Sequence, residues 1–218
     1  GSVSGILNYA KGELEIDVNT SENNYNLDAT LLLNREAIGI SRLEIMASQR
    51  LRVTLYGQVG LLGARKLELT VLDSYVEAGN LPWPARRTDK PSGRVNFLGR
   101  IGGTIESPEV SGRVRSSNLQ IMKEKVELDS EIHYRDRILK VTSFKLNEDY
   151  SANLTIRLDG KIPIVAGAIK TTDGDLRFIS ALLSGERGKP TEIGGTLRAE
   201  IDFSNLCLGD LWWENIKA

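Results

Sequence analysis

One histidine and one cysteine limit the side-chain chemistry open to this 218-residue chain. His133 stands between Ile132 and Tyr134 in an alternating stretch, so strand geometry points it away from both apolar neighbours and towards solvent. A hydrolase triad or a zinc site needs clustered histidines, cysteines or carboxylates held in a pocket, which one surface imidazole does not supply. Asp173-Gly174-Asp175 matches a fragment of a calcium loop, but the remaining ligands are absent and a helix cap or turn is the expected role. Glu124, Glu127, Asp129 and Glu131 fall among apolar residues and read as the solvated face of a strand. Cys207 lies between Leu206 and Leu208, where a small packed residue suffices. The glycines sit at strand ends and not before a helix, so no phosphate-binding loop is formed. From these residues the chain is expected to be non-enzymatic, with no cofactor and no metal.

Composition narrows the classes further. A net charge of −1 gives no electrostatic footprint for nucleic acid. One cysteine rules out an internal disulfide framework. No apolar run approaches the ~20 residues of a membrane-spanning helix. Gly1-Ser2 reads as an expression scar, and the natural chain is expected to be longer, with any anchor or targeting signal lying outside it.

The elements that must position these residues are amphipathic strands. Residues 12–18 alternate Leu14, Ile16 and Val18 with acids, and 19–24 read as a polar turn. Strands are expected over 27–33, 38–45, 50–59 and 66–72, then over 126–134, 138–146 and 154–162. Apolar residues on one side and charges on the other indicate an antiparallel sheet with one wet face. The period breaks after Leu72 and again near Asp175: Tyr75 and Val76, and Leu176, Ile179 and Leu183, fall at helical spacing behind Asp73 and Asp173 as candidate N-caps. One short helix is therefore expected over 73–81 and another over 175–184. A basic loop bearing proline comes after each, over 82–91 with Arg86, Arg87 and Lys90, and over 185–190 with Arg187 and Lys189; both read as solvated loops. A last short helix is expected near Trp212 and Trp213.

The pattern occurs twice. Leu27, Asp28, Leu31 and Leu33 reappear as Leu128, Asp129, Ile132 and Tyr134, an offset of 101. Ile38, Ile40, Leu43 and Ile45 reappear as Leu139, Val141, Phe144 and Leu146 at the same offset. Leu51, Val53, Leu55, Gly57 and Val59 meet Leu154, Ile156, Leu158, Gly160 and Ile162 at 103, and Gly93 and Val95 meet Gly195 and Leu197 at 102. Both copies also flip apolar parity at one place, between Ile40 and Leu43 and between Val141 and Phe144, which calls for a bulge near Arg42 and near Ser143. The organisation read from this is a lead-in over 1–11, repeats over 12–106 and 107–206, and a terminal segment over 207–218. One continuous sheet is expected, because neither copy alone covers its apolar face.

The seam between copies carries Leu98-Gly99, Gly102-Gly103-Thr104 and Ser107-Pro108-Glu109-Val110-Ser111-Gly112, then Val114 and Asn118. This succession resembles the recurring repeat of the TamB and AsmA-like envelope proteins, an alternating strand, Gly-Thr, Pro, x-Gly-x-Val and Asn. The strands downstream of it resemble the rest of that repeat, so the likeness covers most of the chain. It implies an all-β fold with minor α: a tandem-repeat, curled, antiparallel-rich sheet, folded like a taco around an apolar groove, with about one short helix per repeat. It also implies a place in the periplasm, in a protein anchored in the inner membrane of a diderm bacterium. The function implied is conduction of phospholipid between the inner and outer membranes, together with support of outer-membrane protein assembly through a barrel partner of the TamA type. The residues expected to line the groove and meet acyl chains are Leu51, Val53, Leu55, Leu67, Leu69, Leu128, Ile132, Leu154, Ile156 and Leu158. Unpaired edge strands imply self-association. A structural or adhesive β-repeat with a closed core, binding protein or glycan, has the same alternation, since two inner faces interdigitate in a sandwich.

Overall fold

The computed structural model of the chain describes residues 2–10, 13–22, 25–48, 50–80, 90–121, 124–160, 162–175 and 195–207. They form thirteen strands: β1 (Ser2–Ala10), β2 (Glu13–Glu22), β3 (Tyr25–Leu33), β4 (Ala37–Ala47), β5 (Leu51–Gly60), β6 (Leu67–Glu77), β7 (Arg94–Gly103), β8 (Pro108–Ile121), β9 (Glu124–Arg135), β10 (Ile138–Leu146), β11 (Tyr150–Arg157), β12 (Ile164–Asp175) and β13 (Thr196–Cys207). Each strand pairs with the next in an antiparallel meander, and the order is linear from β1 to β13. The chain packs as two units: Gly1–Glu77, Val95–Arg113 and His133–Asp136 make the first, and Ala78–Arg94, Val114–Ile132 and Arg137–Ala218 the second. The seam at 105–110 is no linker. It is the turn from β7 into β8, and it lies inside the first unit.

That turn is built from the residues that marked it. Thr104 N–H donates to Ser107 O (3.1 Å) and Ser107 N–H to Thr104 Oγ1 (3.1 Å). Pro108 takes the first position of β8, where its missing N–H breaks no ladder. The Phe97 ring lies over Gly99 and Gly112, where a Cβ on either residue would overlap it.

Both expected bulges are present. In the first unit Ile40 pairs with Gly57 and Leu43 with Leu55, so Ser41 and Arg42 together oppose Tyr56. In the second, Val141 pairs with Leu154 and Phe144 with Ala152, so Thr142 and Ser143 oppose Asn153. Ser143 takes a φ of 52°, and Asn153 Oδ1 accepts its N–H at 3.1 Å.

The expected helix over 73–81 is not formed. Residues 73–77 continue β6, and the only helical element among the described residues is a 3-10 turn, Ala78–Asn80. The spacing that suggested a helix comes from another bulge: Thr54 pairs with Leu72 and Arg52 with Tyr75, three residues against two. Inserting one residue into a period of two places the next apolar side chain at i+3, which copies helical periodicity locally. Asp73, read as a cap, has a φ of 47° at this bulge and binds Arg52. A like shift lies in β12, where Thr171 pairs with Ala199 and Gly174 with Leu197, so Asp173 stands inside a strand and caps nothing. The remainder of the second expected helix, the first basic loop up to Asp89, all of the second basic loop, and the terminal tryptophans lie outside the described residues. The polar run expected as a turn over 19–24 instead extends β2 to Glu22, with Asn19 opposite Asp28 and Thr20 opposite Leu27. Ladder hydrogen bonds come from backbone groups, so polar side chains do not end a strand by themselves.

Among the described residues no aromatic side chain is buried, and the largest one fully buried is Val126. Several of the other buried apolar positions are alanines, Ala29, Ala78 and Ala152. No described helix is long and apolar enough to cross a membrane.

Candidate functional site

Directly opposed residues in an antiparallel ladder share a face, so the register of each strand pair assigns the groove candidates to faces without ambiguity. In the first unit Leu51, Val53 and Leu55 of β5 oppose Ala47, Ile45 and Leu43 of β4. On the other side of β5, Leu55, Gly57 and Val59 oppose Val71, Leu69 and Leu67 of β6. Five candidates, Leu51, Val53, Leu55, Leu67 and Leu69, are therefore brought onto one apolar face. All five are half-buried.

In the second unit Leu154 and Ile156 of β11 oppose Val141 and Leu139 of β10, and Gly167 and Val165 of β12. Leu128 and Ile132 alternate with exposed Glu127 and Glu131 on β9. Asn147 N–H donates to Glu127 O (2.8 Å) and Glu127 N–H to Asn147 Oδ1 (2.8 Å), so Leu128 and Leu146 lie one step further along the same strand pair. Leu128, Ile132, Leu154 and Ile156 are half-buried as well. Leu158 departs from expectation. The strand expected to run to Ile162 ends at Arg157, and Leu158 beyond it is 37% exposed, its N–H bound to Arg137 O at 2.8 Å.

Sequence reasoning misses two residues of this face. Ile169 opposes Ala152 on β11 and Ile201 on β13, and the two isoleucines are 42% and 60% exposed. The signal is present as period-two alternation with Val165. Leu43, Ile45 and Val59 join the same face through pairing alone.

The opposite face is charged. Glu44 sits opposite Thr54 and is almost fully buried, its side chain 6% exposed, because Arg42 and Arg52 both bind it. Arg52 Nε lies 2.8 Å from Glu44 Oε1, and Arg52 Nη1 lies 2.9 Å from Asp73 Oδ2. Thr54 N–H donates to Ser74 Oγ, which in turn donates to Leu72 O, both at 3.0 Å. Gln58 donates to Glu68 Oε2 at 2.7 Å. These contacts fix rotamers; they leave no carboxylate or imidazole poised over a cavity.

The residues first considered for chemistry are dispersed. His133 is exposed on β9, and Asp129 pairs with Arg115 at 3.4 Å. Gly174 is packed under Tyr150, and no group of three or more potential metal ligands exists among the described residues. Cys207 closes β13, opposite Ile164 in the register. Comparison with family models, curated proteins and solved structures finds no match.

Proposed function

We propose that the chain is a non-enzymatic segment of a TamB-like envelope protein. In this reading its apolar face conducts phospholipid acyl chains across the periplasm between the inner and outer membranes. Support of outer-membrane protein assembly through a TamA-type barrel, and an inner-membrane anchor elsewhere in the protein, belong to the same reading and rest on the repeat's resemblance.

The observation that carries it is the half-buried state of the apolar rows. A closed sandwich buries its central leucines, isoleucines and valines almost completely. Here Leu51, Val53, Leu55, Leu67, Leu69, Leu154 and Ile156 keep solvent contact, and burial beside them in the same rows falls on valines such as Val71 and Val165. An acyl chain laid along such a row gains about 0.8 kcal/mol for each methylene taken out of water. In this reading the acyl chain lies along the apolar face, and the polar face with Arg52 and Gln58 stays on the other side of the sheet.

The test places a photo-crosslinking side chain at Leu55 and, separately, at Gln58, which lie on opposite faces of β5. Gln58 is the better polar-face probe than Arg52, whose loss also frees Glu44 and Asp73. Irradiation in a diderm envelope is expected to join phospholipid to position 55 and not to position 58. Equal capture at both positions, or none at 55, overturns the proposal.

A further inference from the structure

The chain contains two aspartates followed directly by glycine, Asp159-Gly160 and Asp173-Gly174. Such a pair can react with itself, because glycine has no side chain to screen its nitrogen and lets the main chain bend towards the neighbouring carboxyl. The fold places the two pairs in opposite surroundings.

Asp159 and Gly160 lie outside the ladder. Arg157 opposite Ile164 is the last pair between β11 and β12, and the two residues fall after it, in the turn that leads to β12. Both are exposed. Among the described residues the Asp159 carboxylate has no hydrogen-bond or ion-pair partner. The nearest atom to the place of a Cβ on Gly160 is Ile162 O, at 3.5 Å, so the space beside its nitrogen is open.

Asp173 and Gly174 lie within β12. Gly174 is buried and paired with Leu197 of β13. The Thr171 hydroxyl and the Tyr150 ring fill the place that a Cβ would take. Thr171 Oγ1 donates to Leu197 O (3.5 Å) and Tyr150 Oη to Asp175 O (3.3 Å), so residues from both neighbouring strands hold this stretch extended.

We propose that Asp159-Gly160 is a site of spontaneous isoaspartate formation in the folded protein, and that the β12 ladder protects Asp173-Gly174 from the same reaction. The Gly160 nitrogen attacks Cγ of the protonated Asp159 carboxyl. An N–Cγ bond forms, the Cγ–OH bond breaks, and the hydroxyl leaves with the amide proton as water, closing a five-membered succinimide. Water then opens the ring. Addition at Cγ restores aspartate. Addition at the main-chain carbonyl breaks its bond to the Gly160 nitrogen and leaves isoaspartate, with the chain running through Cβ and Cγ. Water is the only co-reactant. The product adds one carbon to the main chain of the turn and leaves a free carboxylate on Cα. Ring closure at Asp173 needs the main chain to leave its extended form, so there the ladder must open first. The site does not depend on whether the apolar face carries lipid.

The experiment ages the 218-residue chain in mildly acidic buffer, where part of the carboxyl is protonated, and again in guanidinium chloride. Isoaspartate is located by enzymatic methylation and by electron-transfer fragmentation of the peptides that contain residues 159 and 173. In the folded chain it is expected to accumulate at Asp159, and at least about tenfold more slowly at Asp173, where local opening limits the reaction. In the unfolded chain the two sites should agree within about twofold, since the ladder that separates them is gone. Gly160→Ala, at a position with room for the Cβ, should slow the folded reaction at Asp159 about fivefold or more. No accumulation at Asp159, equal rates at both sites in the folded chain, or no effect of the alanine overturns the proposal. So does a gap between the sites that survives unfolding, because neighbouring side chains and not the fold then set it.

Discussion

Gly57 interrupts the apolar row of β5 where β6 comes closest. Its φ is 132°, and a Cβ there would overlap the Glu68 carbonyl oxygen, so neither the backbone nor the neighbouring strand accepts a side chain. Gly63, in the exposed turn between β5 and β6, also has a positive φ, of 60°, but meets nothing within 4 Å. Gly57→Ala is expected to cost about 3 kcal/mol or more, combining backbone strain with overpacking. Gly63→Ala should cost only the ~1–2 kcal/mol of an L-residue in the left-handed region. Urea melts of the two variants measure the difference, and equal losses refute this account of Gly57. Tyr150 offers a test through pH. Burial, then the Asp149 and Asp175 carboxylates, hold its phenol above the ordinary 10.0. Between that value and its higher folded pKa the unfolded chain has released the proton and the folded chain has kept it. Unfolding is then favoured increasingly as pH rises, and the stability tied to the protonated phenol, complete below pH 10.0, is lost through this window. Tyr150→Phe removes that component, so the gap in urea midpoint between wild type and variant should change above about pH 10 and stay level below it. A gap that is flat across the window refutes the linkage.

Bulges explain both the elements that are legible in the sequence and those that are not. The shared parity flip at Ile40/Leu43 and Val141/Phe144 is legible because intact alternation flanks it on both sides, so one extra residue is the only reading. The flip at Leu72–Tyr75 has too little alternation after it to show its period, and a strand with an inserted residue then looks like the first turn of a helix. The end of β2 is hidden for a different reason: Asn19, Thr20 and Ser21 look like a turn, yet they are held by pairing with β3, which no local pattern reveals. The groove candidates are largely legible as a face, since parity assigns faces directly. Leu158 is the exception, because the end of β11 depends on where β10 stops opposite it, at Ile138. The second-unit bulge also carries a prediction. Ser143 holds a φ of 52°, and its N–H is taken by Asn153 Oδ1 rather than by the ladder. Ser143→Gly should relieve the strain and stabilise by about 0.5–1 kcal/mol, while Asn153→Ala should destabilise by about 1 kcal/mol. Calorimetry of the two variants decides: stabilisation by the alanine, or a loss from the glycine, refutes the account. The first-unit bulge opposes Tyr56, which has no amide to lend, so Tyr56→Phe should leave stability within about 0.5 kcal/mol.

For the molecule as a whole the decisive property is whether the apolar face is wet or dry, and one substitution separates the two. Leu158 cannot serve, since it is already exposed beyond the end of β11. Leu154 can. It sits mid-strand, half-buried, between Val141 on one side and Gly167 on the other, and the glycine leaves space beside it. If a second layer closes over this face, Leu154→Arg places an unpaired guanidinium in a dry core. Removing that charge from water costs several kcal/mol, a large part of a total stability of roughly 5–15 kcal/mol, and the protein should largely unfold. If the face is an open groove, the arginine stem lies on apolar surface while its head reaches water, and the loss should be only ~1–2 kcal/mol. A folded variant then allows the second half of the test. With the photo-crosslinker at Leu55 in the first unit, Leu154→Arg should leave capture of lipid at position 55 possible but reduce phospholipid flux through the whole protein, because a charge stands where acyl chains must run. Collapse of the urea melt together with no lipid at Leu55 refutes the conduit and leaves the closed, adhesive repeat. A stable variant with unchanged flux refutes it differently: the face is then wet, but it is not the path.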